Sequence, residues 1–147
     1  MKPHKDLQLF LKPYPTNIQE LALAMREFIT SQIPEANELI WDNYNAVAIA
    51  YSKSKVLKDA FCHLSVYANH VNFGFNRGSE LSPNNVNLLG QGALIRHIKV
   101  TQFSSFPQEE IKTMLWEAMG IAQRLNPELR EKTSLGVSNV MSVSEKK

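Results

Sequence analysis

The sequence predicts an α+β fold in which an antiparallel sheet packs under two amphipathic helices as a two-layer sandwich. Two stretches, residues 16–32 and 105–125, carry apolar residues at helical spacing. Between them lie several short runs rich in β-branched and aromatic residues, and no helical pattern separates these runs. Strands that follow one another in this way form antiparallel neighbours, so a parallel βαβ sheet is disfavoured.

Each helix has its own start and stop signals. Residues 5–12 predict a short helix, and Thr16-Asn-Ile-Gln19 fits a capping box before a long one that Pro34 ends near residue 32. Ser105-Phe-Pro-Gln108 opens the last helix, which Pro127 ends. The apolar stripes of the two long helices are Ile18, Leu21, Ala22, Met25, Phe28 and Ile29, then Ile111, Met114, Leu115, Ala118, Ala122 and Leu125.

Four further segments predict strands. Residues 46–51 alternate alanine with Val47, Ile49 and Tyr51. Residues 61–67 and 71–75 form a predicted hairpin, and residues 94–100 follow a long loop. The alanine side of the first strand either lets a helix approach closely or leaves room for a ligand. The close packing of protein interiors favours the helix.

Composition limits the classes of function. Of the 147 residues, 44% are hydrophobic and 20% are charged, which is typical of a folded domain. We expect this domain to span residues 1–132 and a Ser-rich, mobile tail to follow at residues 133–147. We expect a cytoplasmic protein, because no apolar run reaches the roughly 20 residues of a membrane span and the start lacks a secretory signal. A net charge of +2 argues against nucleic acid as a partner. The single cysteine, Cys62, is expected to be a buried thiol.

Strand alternation predicts a candidate binding surface. His63, Asn72, His97 and Lys99 each fall on the polar side of their strand, so they would converge on one half-exposed face and bind a small polar or anionic ligand. The alternative is an ordinary solvated sheet face. The 76–93 loop is a second candidate binding site, because loops of 18 residues without secondary structure are often functional. Its Gly90 and Gly92 either direct backbone amides at an anion or only let the chain turn.

Other chemistry is disfavoured by spacing. The four histidines lack the short ligand spacing of a metal motif, so we expect no metal and no cofactor. No Gly-x-Ser-x-Gly elbow is present, and Cys62 and His63 point to opposite faces of a strand, which favours a non-enzymatic module. Trp116 lies off the apolar stripe of its helix. It either serves a homodimer contact or is covered by a terminal segment.

Four short motifs carry a family resemblance: Glu38-Leu-Ile-Trp41, Val71-Asn-Phe-Gly-Phe-Asn-Arg-Gly78, Leu88-Leu-Gly-Gln-Gly92 and Arg96-His-Ile-Lys99. Together they resemble the YdhG-like family, bacterial domains of unknown function with a fold similar to that of frataxin. The likeness covers most of residues 16–125 and implies a small sandwich of helices and sheet. It directs attention to Trp41, Asn72, Arg77, Arg96, His97 and Lys99.

The resemblance also implies an alternative function. Some relatives are described as iron chaperones, as frataxins are, and these hold the metal on an acidic ridge of the first helix. Here that helix carries only Glu20 and Glu27, offset by Arg26. A hard cation prefers several carboxylates together. Iron delivery is therefore the alternative to small-molecule binding, and a homo-oligomeric interaction protein is the third hypothesis.

Overall fold

The computed structural model describes residues 1–145 and is an α+β fold. Within those residues it has three α-helices and a sheet of six strands. In chain order these are α1 Leu7–Leu11, α2 Thr16–Gln32, β1 Asn37–Asp42, β2 Val47–Ser52, β3 Ala60–Val66, β4 Val71–Phe75, β5 Arg96–Val100, α3 Gln108–Leu125 and β6 Ser138–Val143. No helix in the described part of the chain is both long enough and apolar enough to span a membrane.

The sheet is mixed rather than purely antiparallel. Its strand order is β5-β4-β3-β2-β1-β6, and β1 to β5 pair with their neighbours in antiparallel fashion. The sequence predicts this pairing for β2 to β5, whereas it does not predict β1. The sixth strand lies parallel to β1. The prediction of an antiparallel sheet is therefore wrong at this edge, because β6 reaches β1 only after the chain has passed along α3.

The helices cover one face of the sheet. Both predicted stripes are buried except at Leu125, which is 61% exposed at the last residue of α3. The alternate strand residues beneath them are large and fully or almost fully buried, and they form one core with the helices. On this face lie Val47, Ile49, Tyr51, Cys62, Leu64, Val66, Val71, Phe73 and Phe75.

The start of α2 and the segment after residue 133 differ from what the sequence predicts. Thr16 is the first residue of α2 rather than its cap, and the side-chain amide of Gln19 donates instead to the Tyr14 carbonyl at 2.8 Å. The tail that the sequence predicts from residue 133 contains the strand β6, which the sequence does not predict, and the mobility of the tail stays a prediction. Lys146 and Lys147, at the end of that predicted tail, lie outside the described residues.

A buried polar network anchors β6. Ser138 Oγ donates to Glu38 Oε1 at 2.6 Å, and Tyr51 Oη donates to Glu38 Oε2 at 2.7 Å. Arg26 Nε lies 2.8 Å from Glu38 Oε2 in an ion pair that is almost entirely buried. Next to β6, Gly136 approaches Ala36 so closely that a Cβ would lie 1.7 Å from the Ala36 carbonyl oxygen. The last strand is therefore fixed to Glu38 of β1, and this carboxylate is in turn held by side chains of β2 and α2.

The 76–93 loop has more structure than the sequence predicts. It contains a 3-10 turn at Gly78–Glu80, and Leu89 exchanges two backbone hydrogen bonds with His97 beside β5. Gly90 has a φ of +137°, a conformation that favours glycine. This supports the interpretation in which that glycine turns the chain.

Candidate binding surface on the open sheet face

The face of the sheet that the helices leave uncovered is built from two rows of side chains. Residues directly opposite one another in a ladder share a face. One row is Trp41, Ala48, Ser65, Asn72 and Lys99, and the other is Leu39, Ala50, His63, Gly74 and His97. The shared face that alternation predicts for His63, Asn72, His97 and Lys99 is therefore present, and Trp41 lies on it too. Their role in ligand binding stays a prediction.

Arg77 and Arg96 do not join this surface. Arg96 pairs in register with Phe75, so it belongs to the side of the sheet that faces the helices. Its Nη1 donates to the carbonyls of Gly92 and Ile95, both at 2.7 Å. Arg77 forms two hydrogen bonds with Glu80, at 2.7 and 2.8 Å. Both guanidinium groups thus contact the 76–95 segment, and neither extends the predicted row of polar side chains.

The open face carries a hollow of about 360 Å³. At its base lie Ala48, which is partly exposed, and Ala50, which is almost fully buried beside Trp41. Trp41, Leu57 and Ile95 supply large apolar groups around it. The polar side chains at its edge are Asn43, His63, Ser65 and Asn76. The expectation that a helix packs on the alanine side of β2 is therefore wrong. The helices pack on the side that carries Val47, Ile49 and Tyr51, and the alanines leave open space.

His63 is the titratable group of the hollow. Its Nδ1 lies 2.9 Å from Asn76 Oδ1, and a carbonyl oxygen can only accept. Burial lowers the pKa of His63, and nearby His97 lowers it further, whereas the hydrogen bond with Asn76 raises it. Because burial is the largest of these effects, the ring is held toward its neutral form.

Gly74 makes the position of the His63 ring feasible. A Cβ at residue 74 would lie only 2.2 Å from His63 Nε2, so any larger residue would displace the imidazole. The ring occupies the space above β4 that a side chain would fill. Glycine inside a strand often marks such a close approach.

Basic groups cluster on the β4 and β5 side of the same face. The His70 ring stacks on Tyr67 with 5.0 Å between the ring centroids. Its pKa is lowered by partial burial and then by Lys99 and His97. Asn72 Oδ1 is buried and has no hydrogen-bond partner among the described residues. This part of the surface thus carries an ammonium group and imidazoles, and it contains a polar atom whose hydrogen bonding is incomplete.

Metal-binding side chains are not grouped in the described part of the chain. Between residues 1 and 145, no set of three His, Cys, Asp or Glu side chains is arranged so that it could hold a metal ion. Both Glu20 and Glu27 are exposed on α2.

Most residues that line the hollow were not among the predicted site residues, and three of them, Ile95, Asn76 and Leu57, show why. Ile95 shares the side of His97 in the alternation, so its position was accessible from sequence. Asn76 directly follows β4, but its bond to His63 depends on the register between β3 and β4. Leu57 lies in the 3-10 turn Leu57–Asp59, outside every helix and strand that the sequence predicts.

Two other predictions concern single side chains. Cys62 is fully buried on the helix side, and burial raises the pKa of its thiol well above the usual range. Trp116 is 52% exposed on α3. The homodimer that an exposed Trp116 would serve stays a prediction, and light scattering in solution tests it.

Comparison with known proteins adds no relative: no family model matches the chain, and neither a curated protein nor a solved structure matches it. The resemblance to the YdhG-like family stays a prediction that rests on the four short motifs.

Proposed function

We propose that this chain is a non-enzymatic module that binds a small molecule on the open face of its sheet. The apolar part of the ligand would occupy the hollow above Ala48 and Ala50, and a polar or anionic group would extend toward His97 and Lys99. The observation that carries the proposal is the hollow itself. Its volume of about 360 Å³ falls within the usual size of small-molecule sites, and it combines apolar lining with a few polar groups.

The side chains of this face suit binding better than catalysis. Covalent catalysis needs a nucleophile within hydrogen-bond reach of a base. Cys62 and His63 lie on opposite faces of β3, and the thiol is buried among apolar side chains. The imidazole of His63 bonds to Asn76 rather than to Ser65, the hydroxyl group nearest to it along the strand.

The experiment uses a substitution that fills the hollow and leaves the helix-covered face unchanged. A thermal-shift screen of metabolites and metal ions is carried out on the unmodified protein and on Ala48→Leu. A ligand at a hundredfold excess over its dissociation constant should add about 2.7 kcal/mol to the free energy of unfolding. Ala48→Leu should abolish that shift, because the added carbons occupy the volume that the ligand needs.

The matched control is Ala68→Leu, which adds the same side chain in the exposed turn between β3 and β4. This variant should keep the full shift. A ligand that stabilises Ala48→Leu as strongly as the unmodified protein would place binding elsewhere. If ferrous iron raises the melting temperature and no metabolite does, the frataxin-like alternative replaces the proposal.

A further inference from the structure

We infer that the hollow selects flat, largely apolar molecules that donate one hydrogen bond, with His63 Nε2 as the acceptor. This inference rests on the proposed function and specifies the class of ligand. It follows from three features of the described residues: the tautomer that Asn76 imposes on His63, the place of the ring above Gly74, and the shape of the alanine floor.

The tautomer follows from the partner of Nδ1. Asn76 Oδ1 accepts a hydrogen bond at 2.9 Å, so Nδ1 of His63 must carry the hydrogen. A neutral imidazole has one hydrogen, and Nε2 therefore keeps a lone pair. Burial favours the neutral ring. At neutral pH His63, which lines the hollow, thus keeps an acceptor at Nε2, and such an acceptor pairs with an N–H or O–H group and repels a carboxylate.

The ring position makes this acceptor a fixed one. The imidazole lies against the backbone of Gly74, where no side chain intervenes, and the Asn76 bond holds its opposite nitrogen. A group held at two points loses little freedom when a ligand binds, so its hydrogen bond contributes to selectivity.

The shape of the site favours a flat ligand. The floor consists of methyl groups on β2, and Trp41 lies on the adjacent strand β1, in register with Ala48. Leu57 and Ile95, each about half exposed, border the opening. A planar aromatic body can lie over the methyl floor and contact the indole of Trp41, as aromatic groups do in apolar sites.

The ammonium group of Lys99 lies too far away to reverse this preference. His63 is on β3 and Lys99 is on β5, with β4 between them. Neighbouring strands are about 4.8 Å apart, so roughly 10 Å separates the two strand axes. A ligand with an additional anionic group would carry it at the end remote from the hydrogen-bond donor.

The test compares two probes that differ only in the donor. Isothermal titration calorimetry at pH 7.5 measures the affinity for 2-naphthol, which donates a hydrogen bond, and for 2-methoxynaphthalene, which cannot. We expect 2-naphthol to bind about fivefold more tightly, the effect of one net hydrogen bond. In His63→Phe both probes should still bind, with equal affinity, because phenylalanine keeps the ring and removes the acceptor.

A second variant keeps the test valid if His63→Phe does not fold, which circular dichroism would show. Asn76→Asp retains the partner of Nδ1 but places a carboxylate there, which favours imidazolium and turns Nε2 into a donor. At pH 6 the preference for 2-naphthol should fall to less than twofold. His97, on β5, opposes this protonation by its own charge, so His97→Gln in the Asn76→Asp background should complete the loss.

The outcomes separate the inference from the proposed function. Equal affinities for the two probes in the unmodified protein, or a preference that survives His63→Phe, would overturn the inference while the hollow remains a binding site. Binding that Ala48→Leu leaves unchanged would place the probes outside the hollow and overturn both. Absence of binding by either probe overturns the inference alone, because a flat bicyclic body is what the alanine floor should accept, while the metabolite screen still tests the proposed function.

Discussion

The two faces of the sheet come from the same strands but carry opposite kinds of side chain. Under the helices, β2 to β4 place Tyr51, Phe73 and Phe75, which are fully buried. On the open face the same strands place alanine, serine, histidine, asparagine and glycine. The large side chains fill the covered layer to the density of an interior, and the small ones leave a hollow where no helix packs. Side-chain size along a strand, more than polarity alone, separates the supporting face from the candidate binding face.

Polar groups show the same difference. On the covered face Glu38 is fully buried, and both of its carboxylate oxygens receive hydrogen bonds from Arg26, Tyr51 or Ser138. On the open face Asn72 Oδ1 is buried without a hydrogen-bond partner among the described residues. Satisfied networks fix a structure, whereas incompletely satisfied groups often lie at sites that interact with something else.

The largest expected effect comes from breaking the network of the covered face. Arg26→Met should lower the free energy of unfolding by about 3–5 kcal/mol, because it leaves the Glu38 carboxylate buried without its counter-charge. Urea denaturation measures the loss. The double variant Arg26→Met, Glu38→Met should recover part of it. Lys112→Met, on the exposed side of α3, should change stability by no more than about 0.5 kcal/mol. A loss below about 1 kcal/mol in Arg26→Met would show that the pair contributes little.

An intermediate effect is expected from Gly74→Ala on the open face. The added Cβ collides with His63 Nε2, so the ring must rotate and lose its hydrogen bond with Asn76. Stability should fall by about 1–2 kcal/mol, and the preference for 2-naphthol should disappear. Gly120→Ala is the matched control, since nothing lies within 4 Å of its Cβ position. Within α3 it should gain about 0.5–1 kcal/mol. Unchanged His63 resonances in NMR spectra of Gly74→Ala would contradict the proposed close approach.

The smallest effect is a pH dependence of stability that comes from His63. The pKa of His63 is lowered in the folded state, so the unfolded chain binds more protons in the range just below pH 6.5. The free energy of unfolding should therefore fall as the pH drops through 6.5, and level off below the folded pKa. The slope from one such group is at most about 1.4 kcal/mol per pH unit. Urea titrations between pH 8 and 5 should show a shallower slope for His63→Phe, whereas His70→Gln, at a more exposed imidazole, should keep most of it.

The features predicted correctly from sequence depend on local periodicity. The stripe from Ile18 to Ile29 and the strand at residues 71–75 have a period that identifies both the element and its buried side. The same alternation placed His63 and His97 on one face. The structure places Arg96 on the other face, in register with Phe75, and the role of Arg96 in ligand binding stays a prediction.

The features that were missed depend on contacts between distant residues. Strand β6 is held by the contact between Ser138 and Glu38, which lie 100 positions apart, and its own pattern is short and polar. The alanines of β2 alternate clearly with Val47 and Ile49, but the pattern does not say which side the helices cover. That depends on packing the larger residues of several strands into one layer.

The position of Ala48 and Ala50 within the sheet has a consequence for the selectivity of the proposed binding. Strand β2 is bonded along its length to β1 on one side and to β3 on the other. The base of the cavity thus exists in its final shape before anything arrives, and adjustment is confined to the rim at Leu57 and Ile95. When the proposed ligand binds, the backbone of these strands should move little and lose little conformational entropy. Molecules that are too thick for the hollow should be excluded.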